Sequence, residues 1–176
     1  IATHSATDEY VERTCVPDNL VYSLTGATVS ISTGADNKEF PSQVAMELYN
    51  RQTSGILVHQ PFENNKLEFK INQDASFGLD RHPHTNASDL TLESIMQSGL
   101  ALRLYYKPNL GTDAWKIEGV SIRLEFTDQN GVPHPKLSPK LITFNNATGF
   151  LNGWDHVLTC FTDGAFRPTT SSISQQ

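Results

Sequence analysis

Alternation of apolar and polar residues dominates the chain. Residues 27–33 (ATVSIST) and 43–49 (QVAMELY) each place every second, apolar side chain on one side of an extended backbone and mostly polar side chains on the other. This period of two is that of a half-buried β-strand. The residues predicted to face the core are Ala27, Val29, Ile31, Val44, Met46 and Leu48.

Further short runs of the same kind follow, separated by clusters of Gly, Pro, Asn and Asp. Short strands at regular spacing between turn residues are typical of an antiparallel β-sandwich or barrel. We therefore expect an all-β fold, an antiparallel β-sandwich of about eight strands. The runs are GILVH, KLEFKI, DLTLESI, LALRLYY, WKIEGVSIRLEF, PKLITF and HVLTCF. The stretch LTLESIMQSGL leaves a helical turn before Gly99 open as an alternative.

A change of phase marks residues 115–126. Trp115 and Ile117 occupy odd positions, whereas the apolar residues from Val120 to Phe126 occupy even positions. A strand can keep the same face buried across this change from odd to even positions only if it contains a bulge. Gly119 is well suited to a bulge. The pattern predicts one long, bent strand with Trp115 in the core.

The two ends of the chain lack any hydrophobic period. We interpret residues 1–17 as an N-terminal arm, residues 18–166 as one β-sandwich domain, and residues 167–176 as a C-terminal linker or tail. A chain of 176 residues is long enough to bury its own core. It begins at Ile1 rather than Met, so we expect a processed protein or part of a larger chain or assembly.

Charge and composition exclude some classes of partner. The formal net charge is −6, and no basic stripe is visible, so nucleic acid is not an expected partner. No apolar run approaches the ~20 residues of a membrane-spanning helix. The two cysteines, Cys15 and Cys160, lie near the two ends and outside any Cys-x-x-Cys pair. We predict a disulfide between them and a secreted, extracellular protein, the alternative being two buried free thiols.

Two segments carry a resemblance to a known family. TVSISTGADNKEFPSQVAMELY and LALRLYYKPNLGTDAWKIEGVSI, together with the later NNATGFLNGW, resemble motifs of the PLAT (polycystin/lipoxygenase/alpha-toxin) family, also called lipoxygenase-homology domains. The resemblance covers residues 24–160. It implies a β-sandwich without catalytic activity that docks a larger protein onto a membrane, a lipid or another protein, in some members with calcium.

Acidic loop residues are the candidates for a calcium site. Calcium takes six to eight oxygen ligands, and loops at one end of a sandwich can supply them. The candidate ligands are Asp36, Asn37, Asp80 and Asp113. Convergence of Asp36 with Asp80 or Asp113 is the specific hypothesis. The alternative is that each residue only forms and solvates its own turn.

Exposed aromatic and apolar side chains suggest the ligand contacts. Leu110, on the same loop as Asp113, is positioned to reach an apolar surface, while Trp154 is either an exposed platform or a core residue. Tyr105 alternates with Leu104 and Tyr106 and is the tyrosine expected to face outward. Because aromatic faces also bind sugars, a carbohydrate-binding or adhesin-type sandwich is the main alternative function.

No pattern points to an enzyme. The chain has no nucleophile elbow, phosphate-binding glycine loop or His-Glu-x-x-His helix. His82 and His84 lie two residues apart, a spacing compatible with zinc or copper but common in exposed loops. We expect a non-catalytic binding or targeting module that contacts a membrane lipid, a protein or a glycan surface. A structural domain that acts in assembly is a third possibility.

Overall fold

The computed structural model describes residues 19–38, 41–62 and 68–175. In these ranges the chain forms ten strands, one short α-helix (α1, Leu92–Ser98) and a 3-10 turn (Ala87–Leu90). The strands are β1 (Ser23–Thr33), β2 (Gln43–Asn50), β3 (Ile56–Gln60), β4 (Asp74–Arg81), β5 (Leu100–Lys107), β6 (Trp115–Thr127), β7 (Lys140–Thr143), β8 (Gly149–Leu151), β9 (Val157–Thr162) and β10 (Pro168–Ser174).

The predicted all-β, antiparallel class is confirmed. The described strands form one connected sheet in the order β10-β9-β5-β2-β3-β4-β1-β6-β7, with β8 paired to β6. All the pairings are antiparallel. The described part of the chain therefore holds two strands more than the expected number.

The sheet folds where β3 meets β4, because only two residue pairs join these strands, Val58 with Arg81 and His59 with Asp80. Inward-facing residues from both sides of this junction belong to a single hydrophobic core. The two halves approach each other again where β8 meets β10. A β-carbon at Gly149, whose φ is 142°, would lie 2.6 Å from Cδ1 of Ile173. The sheet is thus almost closed around its core.

The phase change in β6 is a bulge, as predicted. Ser32 pairs with Gly119, but the next residue, Thr33, pairs with Ile117, so Glu118 has no direct partner on β1. Trp115 is fully buried, and its indole nitrogen donates a hydrogen bond to Oγ1 of Thr33 at 3.1 Å. The bulge therefore lets one strand bury its odd-numbered apolar residues before Gly119 and its even-numbered apolar residues after it.

Two expectations about local structure are wrong. The strand expected in DLTLESI is not formed, because residues 92–98 form α1, which is the helical alternative left open for LTLESIMQSGL. The hydroxyl of Thr91 caps this helix by accepting a hydrogen bond from the amide of Ser94 at 3.2 Å, which satisfies one of the amides that a helix start leaves unpaired. Gly99 ends it with a φ of 86°.

The second error concerns the C-terminal segment, which was expected to be a linker. It forms β10 and pairs with β9 along the edge of the sheet. The segment is polar because the side chains of an edge strand are largely exposed, so no hydrophobic period marks it. The predicted N-terminal arm, residues 1–17, lies outside the described residues.

Candidate binding site on the outer face of the sheet

Asp36 and Asp113 lie at the same end of the sheet, where β1 ends and β6 begins. The carbonyl of Asp36 accepts a hydrogen bond from the amide of Lys116 at 3.0 Å. Half-buried Asn37 follows Asp36 directly. Asp80 lies elsewhere, because it pairs with His59 near the far end of β4. The structure thus brings Asp36 and Asp113 to one end but does not bring Asp80 to them.

The carboxylate of Asp113 is held by side chains of the protein. Its Oδ2 accepts hydrogen bonds from the Tyr106 hydroxyl at 2.9 Å and from the Ser42 hydroxyl. The Ser42 oxygen in turn accepts a bond from the amide of Asn109 at 3.1 Å. Asp113 therefore ties the loop after β5 to the start of β2.

A buried lysine faces this cluster. Burial lowers the pKa of Lys38, while the negative charges of Glu68 and Asp113 act in the opposite direction. Burial also raises the pKa of Tyr106. The negative charge of Asp113 thus compensates a buried positive charge, which is a structural role.

Among the described residues, no group of three or more His, Cys, Asp or Glu side chains is arranged to hold a metal ion. The expected calcium site stays a prediction. Its candidate ligands Asp36 and Asp113 share one end of the sheet, and one oxygen of Asp113 is occupied by two hydroxyl donors.

Three histidines cluster at the other end, near the junction of β3 and β4. The ring centroids of His59 and His82 lie 4.7 Å apart, and those of His82 and His84 lie 5.6 Å apart. Nδ1 of His82 accepts a hydrogen bond from the amide of His84 at 3.3 Å. Burial lowers the pKa of His82, and the neighbouring His59 and His84 lower it further.

Leu110 and Trp154 are exposed at the tips of two adjoining loops. Their exposed fractions are 65% and 75%. The loops touch, because a methyl group at Gly153 would lie 3.6 Å from the carbonyl oxygen of Gly111 and 3.8 Å from Cγ of Pro108. Trp154 is therefore an exposed side chain and not part of the core.

Tyr105 belongs to a linked group of four side chains on the outer surface of β2 and β5. Its hydroxyl oxygen lies 3.2 Å from that of Tyr49, and the Tyr49 hydroxyl donates a hydrogen bond to Glu47. The guanidinium carbon of Arg103 lies 4.9 Å from the centre of the Tyr49 ring. We call these four residues, Glu47, Tyr49, Arg103 and Tyr105, the β2/β5 face.

Two groups of the β2/β5 face, Tyr49 and Arg103, have shifted pKa values. Burial and the hydrogen bond to Glu47 raise the pKa of Tyr49, so this hydroxyl stays protonated. A hydrogen bond to Tyr105 raises the pKa of Arg103. The face therefore presents the Arg103 guanidinium and the protonated Tyr49 hydroxyl on rigid strands, beside the side chains of Glu47 and Tyr105.

Strand register creates this arrangement. Glu47 pairs with Arg103 and Ala45 with Tyr105 across β2 and β5. Residues that pair directly point to the same face of a sheet, and alternate residues along each strand do so as well. Since Met46, Leu48, Leu102 and Leu104 fill the core, the residues between them must form the outer surface.

Two shallow depressions flank the β2/β5 face. One, of about 290 Å³, is lined by Glu47, His59 and Tyr105 among others. The other, of about 320 Å³, is lined by Tyr49, Arg51, Ala101, Arg103 and Phe161 among others. Their size is at the lower limit of pockets for small ligands, about 300 Å³.

Tyr105 was predicted to face outward, but its grouping with Glu47, Tyr49 and Arg103 was not predicted. The available signal was the polar half of the alternating pattern in QVAMELY and LALRLYY. That half places one charged and one tyrosine side chain outward on each strand. Only the pairing of β2 with β5 shows that they meet.

The predicted disulfide involves Cys15, which lies outside the described residues. Cys160, on β9, is buried and forms no disulfide with another described residue. Burial raises its pKa to about 11.

Neither a scan against protein-family models nor a search of curated proteins gave a match for this chain. The resemblance to the PLAT family therefore stays a prediction. Within the described residues, no helix combines the length and apolar character needed to cross a membrane.

Proposed function

We propose that this domain is a non-catalytic binding module and that the β2/β5 face binds a carbohydrate. The observation that carries the proposal is the hydrogen-bonded pair of outward tyrosines, Tyr49 and Tyr105, beside Arg103 and Glu47.

The chemistry of the face suits a sugar. Aromatic rings pack against the apolar faces of sugar rings, and carboxylate and guanidinium groups hydrogen-bond to sugar hydroxyls. The four side chains lie on paired strands and hold one another in place, so little conformational entropy is lost on binding.

A catalytic role has less support. The combination of Ser42 with Asp113 brings together a hydroxyl and a carboxylate, but the Ser42 side chain is fully buried. A substrate has no access to a hydroxyl in that position. This burial favours a structural role for the pair.

The test is binding of the purified domain to a panel of oligosaccharides by isothermal titration calorimetry. We expect Tyr105→Ala to weaken binding about tenfold, which corresponds to about 1.4 kcal/mol. Phe150→Ala removes an exposed aromatic side chain on β8, in the other half of the sheet, and serves as the matched control. Unchanged affinity in Tyr105→Ala, at an unchanged melting temperature, would contradict the proposal.

A second candidate function is docking through the loop tips that carry Leu110 and Trp154. Its support is the exposure of two large apolar side chains on adjoining loops. Exposed apolar side chains near one another suit contact with a lipid surface or another protein. Calcium is the cofactor proposed to assist such docking.

Tryptophan fluorescence tests this second function directly. The chain has two tryptophans, and Trp115 is buried, so a change on addition of lipid vesicles reports on Trp154. We expect a shift to shorter wavelength, abolished in Trp154→Ala, and measure it with calcium and with chelator. An unchanged spectrum and no sedimentation with vesicles would exclude membrane docking.

A further inference from the structure

The larger of the two depressions beside the β2/β5 face is centred on Ala101. This residue pairs with Tyr49 on β2 and with Phe161 on β9. The two rings therefore flank a single methyl group, and their backbones are two strand spacings apart, ~10 Å. Because Ala101 is small, it forms the floor of the depression, and the rings of Tyr49 and Phe161 form two aromatic walls.

Two arginines occupy the same depression. The guanidinium carbon of Arg51 lies 4.9 Å from the centre of the Phe161 ring, as that of Arg103 does from the Tyr49 ring. Arg51 also donates a hydrogen bond from Nη1 to the carbonyl of Thr162 at 2.6 Å. Each planar cation is thus oriented by a ring.

These contacts orient the two arginines without neutralising them. In the part of the chain that the structure describes, the ion pairs join Arg123 to Glu125 and Arg167 to Asp163. Neither pair involves Arg51 or Arg103. The residues that line the depression include no acid. Glu47 lies opposite Arg103 on the neighbouring strand. Its carboxylate, however, accepts a hydrogen bond from the Tyr49 hydroxyl.

We infer that this depression binds the carboxylate of an acidic sugar residue, with Arg51 and Arg103 as the ligands of the carboxylate and Tyr49 and Phe161 as the walls. The inference rests on the proposed carbohydrate-binding function and specifies its ligand. A guanidinium presents two parallel N–H donors that match the two oxygens of a carboxylate.

Local charge is needed for such a ligand because the chain as a whole carries a formal net charge of −6. An anion approaching this protein is repelled at long range and attracted only where cations are concentrated. The paired arginines provide this attraction. A neutral sugar would leave both guanidiniums without an anionic partner.

The experiment compares a uronic-acid oligosaccharide with its carboxyl-reduced, neutral counterpart and with a sulfated oligosaccharide lacking carboxylates. Affinities are measured by calorimetry for the wild type, Arg51→Gln, Arg103→Gln and the control Arg123→Gln. Arg123 is an exposed arginine on β6, in the other half of the sheet. Melting temperatures of all variants are recorded to establish that they are folded.

We expect the wild type to bind the acidic ligand at least about tenfold more tightly than the neutral one. Arg51→Gln should remove about tenfold of affinity for the acidic ligand and leave the neutral ligand almost unaffected. Arg103→Gln should also remove about tenfold for the acidic ligand but less for the neutral one, because a glutamine side chain still hydrogen-bonds to sugar hydroxyls. Arg123→Gln should change neither, and Arg103→Lys should restore only part of the loss.

The outcomes separate the two proposals. Equal affinity for the acidic and neutral ligands, still lost in Tyr105→Ala, would overturn the carboxylate site and leave the carbohydrate function standing. Binding of the sulfated ligand alone would also overturn the carboxylate site. So would an equal loss of affinity for the acidic and the neutral ligand in the arginine variants. Absence of binding to any oligosaccharide would overturn both.

Discussion

The carboxylate of Asp113 accepts a hydrogen bond from the Tyr106 hydroxyl, with 2.9 Å between Oδ2 and the phenolic oxygen. Tyr106 is buried, so this bond anchors the loop after β5 to the interior of the domain. The same oxygen accepts a bond from Ser42. Asp113 therefore does more than solvate its turn.

Asp113→Asn should destabilise the domain by about 1–3 kcal/mol, because two buried hydroxyl donors lose a charged acceptor. Lys38 would also lose a compensating negative charge. Urea unfolding measures the loss. Measurements in millimolar calcium and in chelator separate this structural loss from a role in the calcium-assisted docking proposed above. If calcium stabilises the wild type and Asp113→Asn abolishes the effect, the residue is a calcium ligand.

Trp115→Ala should cost about 3–5 kcal/mol, since removal of a large aromatic side chain leaves a cavity in the core. The variant also leaves Oγ1 of Thr33 without its indole donor. Denaturant unfolding measures the change. Trp154→Ala is the control, because a substitution at an exposed position typically changes stability by less than about 0.5 kcal/mol. Equal losses in the two variants would contradict the assigned burial.

Acid should destabilise the domain through His82. The pKa of His82 is lowered in the folded state by burial and by His59 and His84, whereas Glu47 acts in the opposite direction. The unfolded chain therefore binds a proton more readily than the folded one. Stability is highest above the unfolded pKa of about 6.5 and declines as pH falls through it towards the lower folded pKa.

Melting temperatures between pH 8 and pH 5 test this expectation. His82→Gln should flatten the decline on the acidic side. His156→Gln is the matched control, because the His156 carbonyl accepts a hydrogen bond from the amide of Tyr106 at the opposite end of the sheet. Identical profiles for the wild type and His82→Gln would show that other groups cause the acid sensitivity.

Cys160 should resist alkylation at pH 8 in the native protein, because it is buried and burial raises its pKa to about 11. The thiolate is the reactive form and is scarce at that pH. Intact mass after treatment with iodoacetamide measures the reaction. Rapid modification of the native protein at Cys160 would contradict the assigned environment.

The same reagent tests the predicted bond between Cys15 and Cys160. The protein is denatured without reductant before alkylation. A disulfide leaves both residues unmodified until reductant is added. Two modified cysteines in the absence of reductant would exclude the disulfide.

Two segments differ from the strand pattern for local physical reasons. In DLTLESI, Leu90 and Leu92 fit a period of two, but Leu92 and Ile95 also fit a helix. The cap formed by Thr91 decides between these readings, since it satisfies an amide at the helix start. β10 lacks a hydrophobic period because an edge strand buries little on either face. It pairs with β9 as a hairpin, because only residues 163–167 separate the two strands.

The candidate site shows a similar division. The outward position of Tyr105 was predicted because alternation along one strand assigns each side chain to a face. Its neighbours were not predicted, because Tyr49 and Tyr105 are separated by 56 residues and meet through their hydroxyls. A shift of one residue in the pairing of β2 with β5 would place different side chains together.

The sequence by itself determined the all-β class, the inward residues of the main strands and the bulge in β6, because these follow from the period of the backbone and the need to bury apolar side chains. Only the tertiary structure decided which polar side chains meet. It placed Asp113 against Tyr106, set Arg51 and Arg103 on either side of Ala101, and kept Asp80 apart from Asp36. The physical reason is that hydrophobic burial constrains one face of each strand, whereas the grouping of polar residues depends on register and strand order between distant segments.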